Sequence, residues 1–106
     1  MNIQQFKDDM GNTTFYDAVF LDGNGDAYMD MPTAKLIWMA NLRRVRNIKI
    51  KPLDILSLRA LEDGDYEALE AVIAQKEVLR NMPEVYSLDA ATTWEELLTM
   101  WPECLL

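Results

Sequence analysis

The stretch Leu58-Arg-Ala-Leu-Glu-Asp-Gly-Asp65 decides how the second half of this sequence folds. Its first residues follow a helical pattern, and Gly64 is typical of a helix end because glycine adopts positive φ without strain. Asp65 can accept hydrogen bonds from the free amides that begin another helix. The stretch therefore predicts one helix, a tight break and a second helix.

Apolar residues on both sides of this break extend the two helices. Upstream, four apolar residues recur every three or four positions after Pro32, which indicates one face of a helix; they are Trp38, Leu42, Val45 and Ile48. We expect this helix to fade between residues 47 and 51, because Pro52 disfavours helical geometry in the residue before it. Residues 53–62 then form a second helix or resume the first. Downstream, helical spacing runs from Tyr66 to Met82 and ends at Pro83.

The N-terminal third has the pattern of a β-hairpin. Residues 13–21 are rich in β-branched and aromatic residues, and residues 27–31 read as the returning strand. Between them, the turn cluster Asp22-Gly-Asn-Gly25 tolerates positive φ. We therefore predict a hairpin over residues 14–31, to which residues 3–6 add a third short strand.

The C-terminal region predicts one more short helix. Residues 84–91 read as a linker, and Thr93 with Glu96 fits a capping box. The helix then runs through Trp101 and stops at Pro102. Together these patterns predict a single α+β domain with an N-terminal β-hairpin followed by three to four helices, the two longest antiparallel. Its parts are the hairpin region (1–31), a helical hairpin (32–83), and a linker with the terminal helix (84–106).

Composition limits the class of protein. The chain has 106 residues, of which 50% are hydrophobic, so one domain with a real core is expected. Cys104 is the single cysteine and cannot form an intrachain disulfide, which favours a reducing compartment. We find no signal-peptide pattern at the N-terminus and no apolar run of about 20 residues, so no membrane partner is expected.

Charge is segregated along the chain. The net charge is −8, which makes nucleic acid an unlikely bulk partner because phosphates would be repelled. Residues 1–31 carry a net −5, residues 32–61 a net +6 and residues 62–106 a net −9. We favour pairing of these blocks within the molecule. A homo-oligomer or another protein that pairs with them is left as an alternative.

Four cations form a basic patch on the first helix, and we name them as candidate electrostatic contact residues; they are Arg43, Arg44, Arg46 and Lys49. The patch could touch phosphates, but no aromatic residues are interleaved for base stacking. We therefore expect these cations to face the acidic segment from Glu62 to Glu77 in the antiparallel helix pair.

The acidic turn after Leu21 imitates the start of a calcium loop. Oxygen-bearing side chains fall at loop positions 1, 3, 5 and 9, but Ala27 stands where an EF-hand needs glycine. Thr33 stands where the loop needs a bidentate glutamate. We therefore interpret the segment as a hairpin turn and expect no metal and no cofactor.

No catalytic residues are proposed. The chain has no histidine, and its adjacent carboxylates, such as Asp8 and Asp9, point in different directions. The sequence therefore predicts a protein that is not an enzyme.

The terminal helix is the strongest candidate for partner binding. Its apolar side chains form an amphipathic stretch of barely two turns; they are Trp94, Leu97, Leu98 and Trp101. Because a helix this short is marginal alone, it must dock on the chain's own hairpin or in a partner's groove. We expect deletion of residues 92–106 to abolish partner binding and to leave the rest folded.

The segment from Leu42 to Glu103 resembles small bacteriophage proteins encoded near tail-fibre genes, of the tail-fibre assembly and tail-assembly-chaperone type. The resemblance covers about 60 residues and rests on five short motifs in order: Arg46-Asn47, residues 60–65, 76–83 and 93–97, and Trp101-Pro-Glu103. The chain departs from the pattern at Leu53-Asp-Ile55, where many such proteins have an Asp-Trp pair.

The resemblance implies a non-enzymatic chaperone that binds a phage tail or tail-fibre protein in the host cytoplasm during assembly. An alternative is a minor structural component of the virion, in the tail, neck or capsid. A further alternative is a small acidic inhibitor of a host enzyme, for which the acidic surplus of residues 62–106 is the support.

Overall fold

The computed structural model describes residues 15–106, which form a β-hairpin followed by helices. The elements are a 3-10 turn (Tyr16–Ala18), β1 (Val19–Leu21), β2 (Ala27–Met29), α1 (Met31–Glu62), α2 (Tyr66–Val85), α3 (Trp94–Thr99) and a final 3-10 turn (Glu103–Leu105). The predicted α+β class is confirmed in outline, although the chain is mostly helical. The predicted third strand at residues 3–6 lies outside the described residues.

The two strands pair antiparallel, with Phe20 opposite Tyr28, and each strand has three residues. The first predicted strand was too long, because residues 16–18 form a 3-10 turn instead. Gly25 closes the hairpin turn with a φ of +84°, a conformation that glycine adopts without strain. The hairpin leads directly into α1, whose first turn is capped by the Asp30 side chain.

Helix α1 is longer than the sequence predicted. It begins with Pro32 in its first turn, as expected, and continues without interruption through Pro52 to Glu62. The prediction that the helix fades between residues 47 and 51 is therefore wrong. A proline inside a helix removes one hydrogen bond and crowds the carbonyl four residues earlier. Here the bonds on both sides of Pro52, together with packing against α2, hold the segment helical.

The break between the long helices is the one that the sequence predicts. Gly64 has a φ of +67°, and the Asp65 carboxylate accepts from the Ala68 amide at 3.1 Å. The tight turn makes α2 return antiparallel along α1, and Lys76 pairs with Asp54 across the two helices at 2.6 Å. Helix α2 passes Pro83 and ends at Val85, two residues beyond the predicted stop.

The segment after α2 is partly buried, so it does not behave as a free linker. Leu88 and Ala91 lie in the core. Thr93 then caps α3, with its hydroxyl accepting from the Glu96 amide at 3.3 Å. The Glu96 carboxylate accepts from Thr92 instead of completing the capping box at Thr93. Helix α3 ends at Thr99, short of the predicted Trp101.

The core lies at one end of the long helices. Five of the six buried side chains of α1 fall between residues 34 and 45, and the sixth is Ala60. The hairpin side, residues 86–92 and the terminal segment (residues 93–106) all contribute to this cluster. We call this part the core end. The remainder of α1 and α2 with their turn, residues 48–79, projects from it as a two-helix arm.

Length alone explains why the arm projects. A 32-residue helix is about 48 Å long, whereas a compact domain of this size has a radius of gyration of about 13 Å. The observed radius of gyration is 17.6 Å, with principal-axis extents of 66 × 27 × 16 Å. The molecule is therefore elongated.

Candidate protein-binding surface

The terminal segment, predicted to bind a partner, packs into the chain's own core. Leu97 is fully buried. The Trp94 ring lies 6.0 Å from the Phe15 ring, and the Trp101 ring meets Trp38 of α1 edge-on at 5.2 Å. Of the four predicted residues, Trp94, Leu98 and Trp101 keep half-buried surface that a partner could reach. Leu97 would become accessible only if the segment undocked.

Hydrogen bonds to α1 hold the terminal segment in place. The Trp38 indole donates to the Met100 carbonyl at 3.0 Å. The Lys49 ammonium donates to the main-chain oxygens of Cys104 and Leu106, at 3.4 and 2.6 Å. The segment therefore docks mainly on α1, and it also contacts the predicted hairpin region through Trp94 and Phe15.

The basic patch does not face the acidic segment as expected. Lys49 binds the terminal segment, Arg44 donates to the Asn41 side chain and Arg46 donates to Asn47. Among residues 15–106 the ion pair is Lys76 with Asp54, which joins an acid on α1 to a base on α2. The expected pairing was the reverse, with the bases on α1 and the acids on α2. Arg43 and Arg44 are both exposed.

The acidic turn uses its first carboxylate to shape the hairpin. The Asp22 side chain accepts from the amides of Asn24 and Asp26, at 2.8 and 3.0 Å. This arrangement is a side-chain-stabilised turn, as the sequence predicts. Across the described part of the chain, no group of three or more acidic, cysteine or histidine side chains is placed to hold a metal ion.

Tyr86, which follows α2, is the one described group with a clear pKa change. Partial burial raises the pKa of its phenol above the usual 10.0, because burial disfavours the charged phenolate. The phenol is therefore neutral at physiological pH, and its role is packing beside the core.

A groove opens on the arm where the terminal segment ends. It has a cavity volume of about 570 Å³ and lies between the two long helices. Its lining is mostly apolar: Ile48, Pro52 and Leu53 from α1, Val78 and Leu79 from α2, with Lys49, Gln75 and Cys104. The size and lining are those of a site for an apolar ligand or side-chain cluster.

Pro52 gives this groove an unusual polar feature. Proline has no N–H, so the Ile48 carbonyl receives no helical hydrogen bond from position 52. Both residues line the groove, so the interruption in the helical hydrogen bonds lies beside it.

The arm also exposes apolar side chains on its other face. Leu58 is 60% exposed, Leu61 55% and Tyr66 67%, and Ile73 is exposed as well. Leu58 and Leu61 lie four and seven residues after Asp54, and Ile73 lies three residues before Lys76. These spacings put them on the face that carries the Asp54–Lys76 ion pair.

The two faces of the arm are distinct. Pro52 and Asp54 are two residues apart on α1, as are Lys76 and Val78 on α2, and such positions project to opposite sides of a helix. We call the side with the cavity the groove face. The side with the ion pair is the back face.

Sequence reasoning missed the arm because it assigned the apolar stripe to a single buried face. In α1 the prediction holds for Trp38, Leu42 and Val45, which are buried, whereas Ile48 is exposed. The usable signal was the surplus of apolar residues in 53–62, where Ile55, Leu56 and Leu58 cannot share one face. A helix that is apolar on several sides needs more than one neighbour.

Comparison with known proteins leaves the site to be interpreted from its own geometry. No protein-family model, curated protein or solved structure matches the chain. In the described range, none of the helices combines the length and apolar character needed to cross a membrane.

Proposed function

We propose that this chain is a non-enzymatic protein-binding protein, and that the groove on its arm holds an apolar segment of a partner. The observation that carries the proposal is the position of the groove. The terminal segment covers the groove face of the long helices as far as Lys49 and Cys104. Beyond that point the same face continues, apolar and open. A partner segment would extend the layer that residues 93–106 begin.

The lining defines the chemistry of the partner segment. Ile48, Leu53 and Val78 offer an aliphatic surface, so the segment needs aliphatic or aromatic side chains. Lys49 already donates to main-chain oxygens of the terminal segment, so its ammonium is occupied at the edge of the groove. The partner segment needs no acidic patch, because the groove binds it through apolar contacts and not through pairing of charges.

At a finer level, we propose that the partner is a phage tail or tail-fibre subunit. The support is the resemblance of residues 42–103 to tail-fibre assembly and tail-assembly-chaperone proteins. An acidic protein with an open apolar groove can hold such a subunit while its charge keeps the complex soluble. The chain would then act in the host cytoplasm during assembly. A virion component, the alternative, would stay in the finished particle, whereas an assembly chaperone would leave it.

The proposal predicts that Val78→Asp abolishes co-purification of the tail or tail-fibre subunit. Val78 lines the groove and is 57% exposed, so a charge there disrupts binding with little effect on folding. The measurement is the recovery of tail and tail-fibre subunits, produced in the same cells, with tagged wild-type or variant chain.

Val85→Asp is the matched control, because Val85 is 79% exposed on the same helix and does not line the groove. Circular dichroism should show equal helix content in both variants. Equal recovery with Val78→Asp and wild type would remove the groove from the site. Recovery of no tail subunit with the wild-type chain would overturn the finer proposal.

A further inference from the structure

The back face of the arm carries apolar surface that the proposed groove does not use. Leu58, Leu61, Tyr66 and Ile73 are all more than two-fifths exposed and share one face. A two-helix hairpin with a bare apolar face is typical of half of a four-helix bundle. The charges along the arm indicate what covers it.

Two segments of nine residues carry equal and opposite charge. Residues 43–51, at the base of the arm, contain five cations and no acid; they are Arg43, Arg44, Arg46, Lys49 and Lys51. Residues 62–70, at its tip, contain five acids and no cation; they are Glu62, Asp63, Asp65, Glu67 and Glu70. Since α1 rises about 1.5 Å per residue, base and tip are separated by about 22 Å.

We propose that the back face binds a second copy of this chain, with the two arms antiparallel about a two-fold axis. In this orientation the acidic tip of each copy lies beside the basic base of the other, so both ends of the interface are attractive. A parallel orientation would place base on base and tip on tip, with like charges opposed. The two-fold arrangement uses the same patch on both copies, as symmetric dimers do.

The arrangement of charges on the back face also favours a second copy of this chain as its partner. Asp54 and Lys76 already pair with each other in the middle of the face, so they need no external partner. Among the described residues, the other charges of the base and the tip form no ion pair, and Lys49 is held by the terminal segment. Leu58 and Ile73 lie between base and tip, whereas Leu61 and Tyr66 lie at the tip. A partner made of nucleic acid would be repelled by the tip, and a partner of one charge sign would suit only half of the face.

The test is sedimentation equilibrium of the purified chain, without any tail protein present. The wild type should sediment at twice 12.2 kDa and shift towards the monomer as salt screens the charged ends. Leu58→Glu combined with Leu61→Glu should yield monomer at concentrations where the wild type is dimeric. Leu56→Glu, on the groove face of the same helix, is the control and should leave the dimer intact. Helix content by circular dichroism checks that each variant is folded.

Charge substitution tests the orientation. Arg43→Glu with Arg44→Glu lowers the net charge of residues 43–51 from +5 to +1 and should weaken self-association at least tenfold, because most of the attraction to the acidic tip is lost. A chain with Glu62→Lys and Glu70→Lys has a tip whose net charge falls from −5 to −1. Mixing the two variants should favour a mixed dimer, since one of its contacts joins an unchanged base to an unchanged tip.

Three outcomes would overturn the proposal: a wild-type monomer at every concentration, a dimer that survives the back-face substitutions, or a dimer that the base substitutions leave unchanged or strengthen, as they would for parallel arms with base on base. None of them depends on the groove or its partner, so failure here is distinguishable from failure of the proposed function.

Discussion

Trp38 connects most of the parts that form the core end. Its side chain is fully buried, its ring stacks 5.9 Å from Phe15 and meets Trp101 edge-on, and its indole N–H binds the Met100 carbonyl. The burial of Trp38 could be predicted from its spacing with Leu42 and Val45. Its contacts with Met100 and Trp101 could not, because 62 residues separate the indole donor from the Met100 carbonyl and local patterns carry no information about such pairs.

Replacing Trp38 with alanine should destabilise the fold by about 3–5 kcal/mol, since the substitution removes a large buried side chain and leaves a cavity. The free energy of unfolding in denaturant measures this effect. Leu36→Ala serves as the control, because Leu36 lies on the same helix and is 74% exposed. A change below about 1 kcal/mol for Trp38→Ala would mean that the side chain is not at the centre of the core.

At the scale of elements, the sequence predicts where a helix is capped better than it predicts whether a helix continues through a proline. The cap at Asp65, the positive φ of Gly64 and the cap at Thr93 are all local chemistry, and all three are present. Pro52 is also a local signal, but the helix end predicted from it is not observed. The cost of one proline, about 3 kcal/mol, is offset by the packing of this part of α1 against α2. Sequence alone does not contain that packing.

Pro52→Ala should therefore stabilise the protein by about 1–2 kcal/mol. Alanine restores the hydrogen bond to the Ile48 carbonyl and relieves the crowding, while the extra freedom of the unfolded chain offsets part of the gain. Thermal unfolding measures the effect. Pro32→Ala is the matched control, because a proline in the first turn removes no helical bond, so no comparable gain is expected. A loss of stability with Pro52→Ala would show that α1 depends on a bend at this position.

The terminal segment shows the same limit of local patterns. Its short helix and cap follow from the sequence, but its docking site on α1 does not. Because Leu97 and Leu105 are fully buried, deletion of residues 92–106 would open the core rather than leave the long helices intact. This burial argues against the expectation that the rest of the chain stays folded without the segment, whereas partner binding by the segment stays a prediction. Partner binding is better sought on the open part of the same face.

At the scale of the whole molecule, one end is a packed core and the other end exposes apolar surface that can bind other proteins. The core end buries its apolar side chains, whereas the arm carries a groove on one face and bare leucines on the other. With one face holding a partner segment and the other a second copy, the assembled unit would present two grooves. Such a unit would bind a protein that presents two copies of the recognised segment more tightly than one groove could.

The decisive experiment is amide hydrogen exchange of this chain, alone and saturated with a purified tail or tail-fibre subunit. Exchange in the complex should be slower at residues 48–56 and 75–79, which surround the groove, and should change little at residues 93–106. Slower exchange confined to the terminal segment or the β-hairpin, or no change at any residue, would show that the groove does not hold the partner.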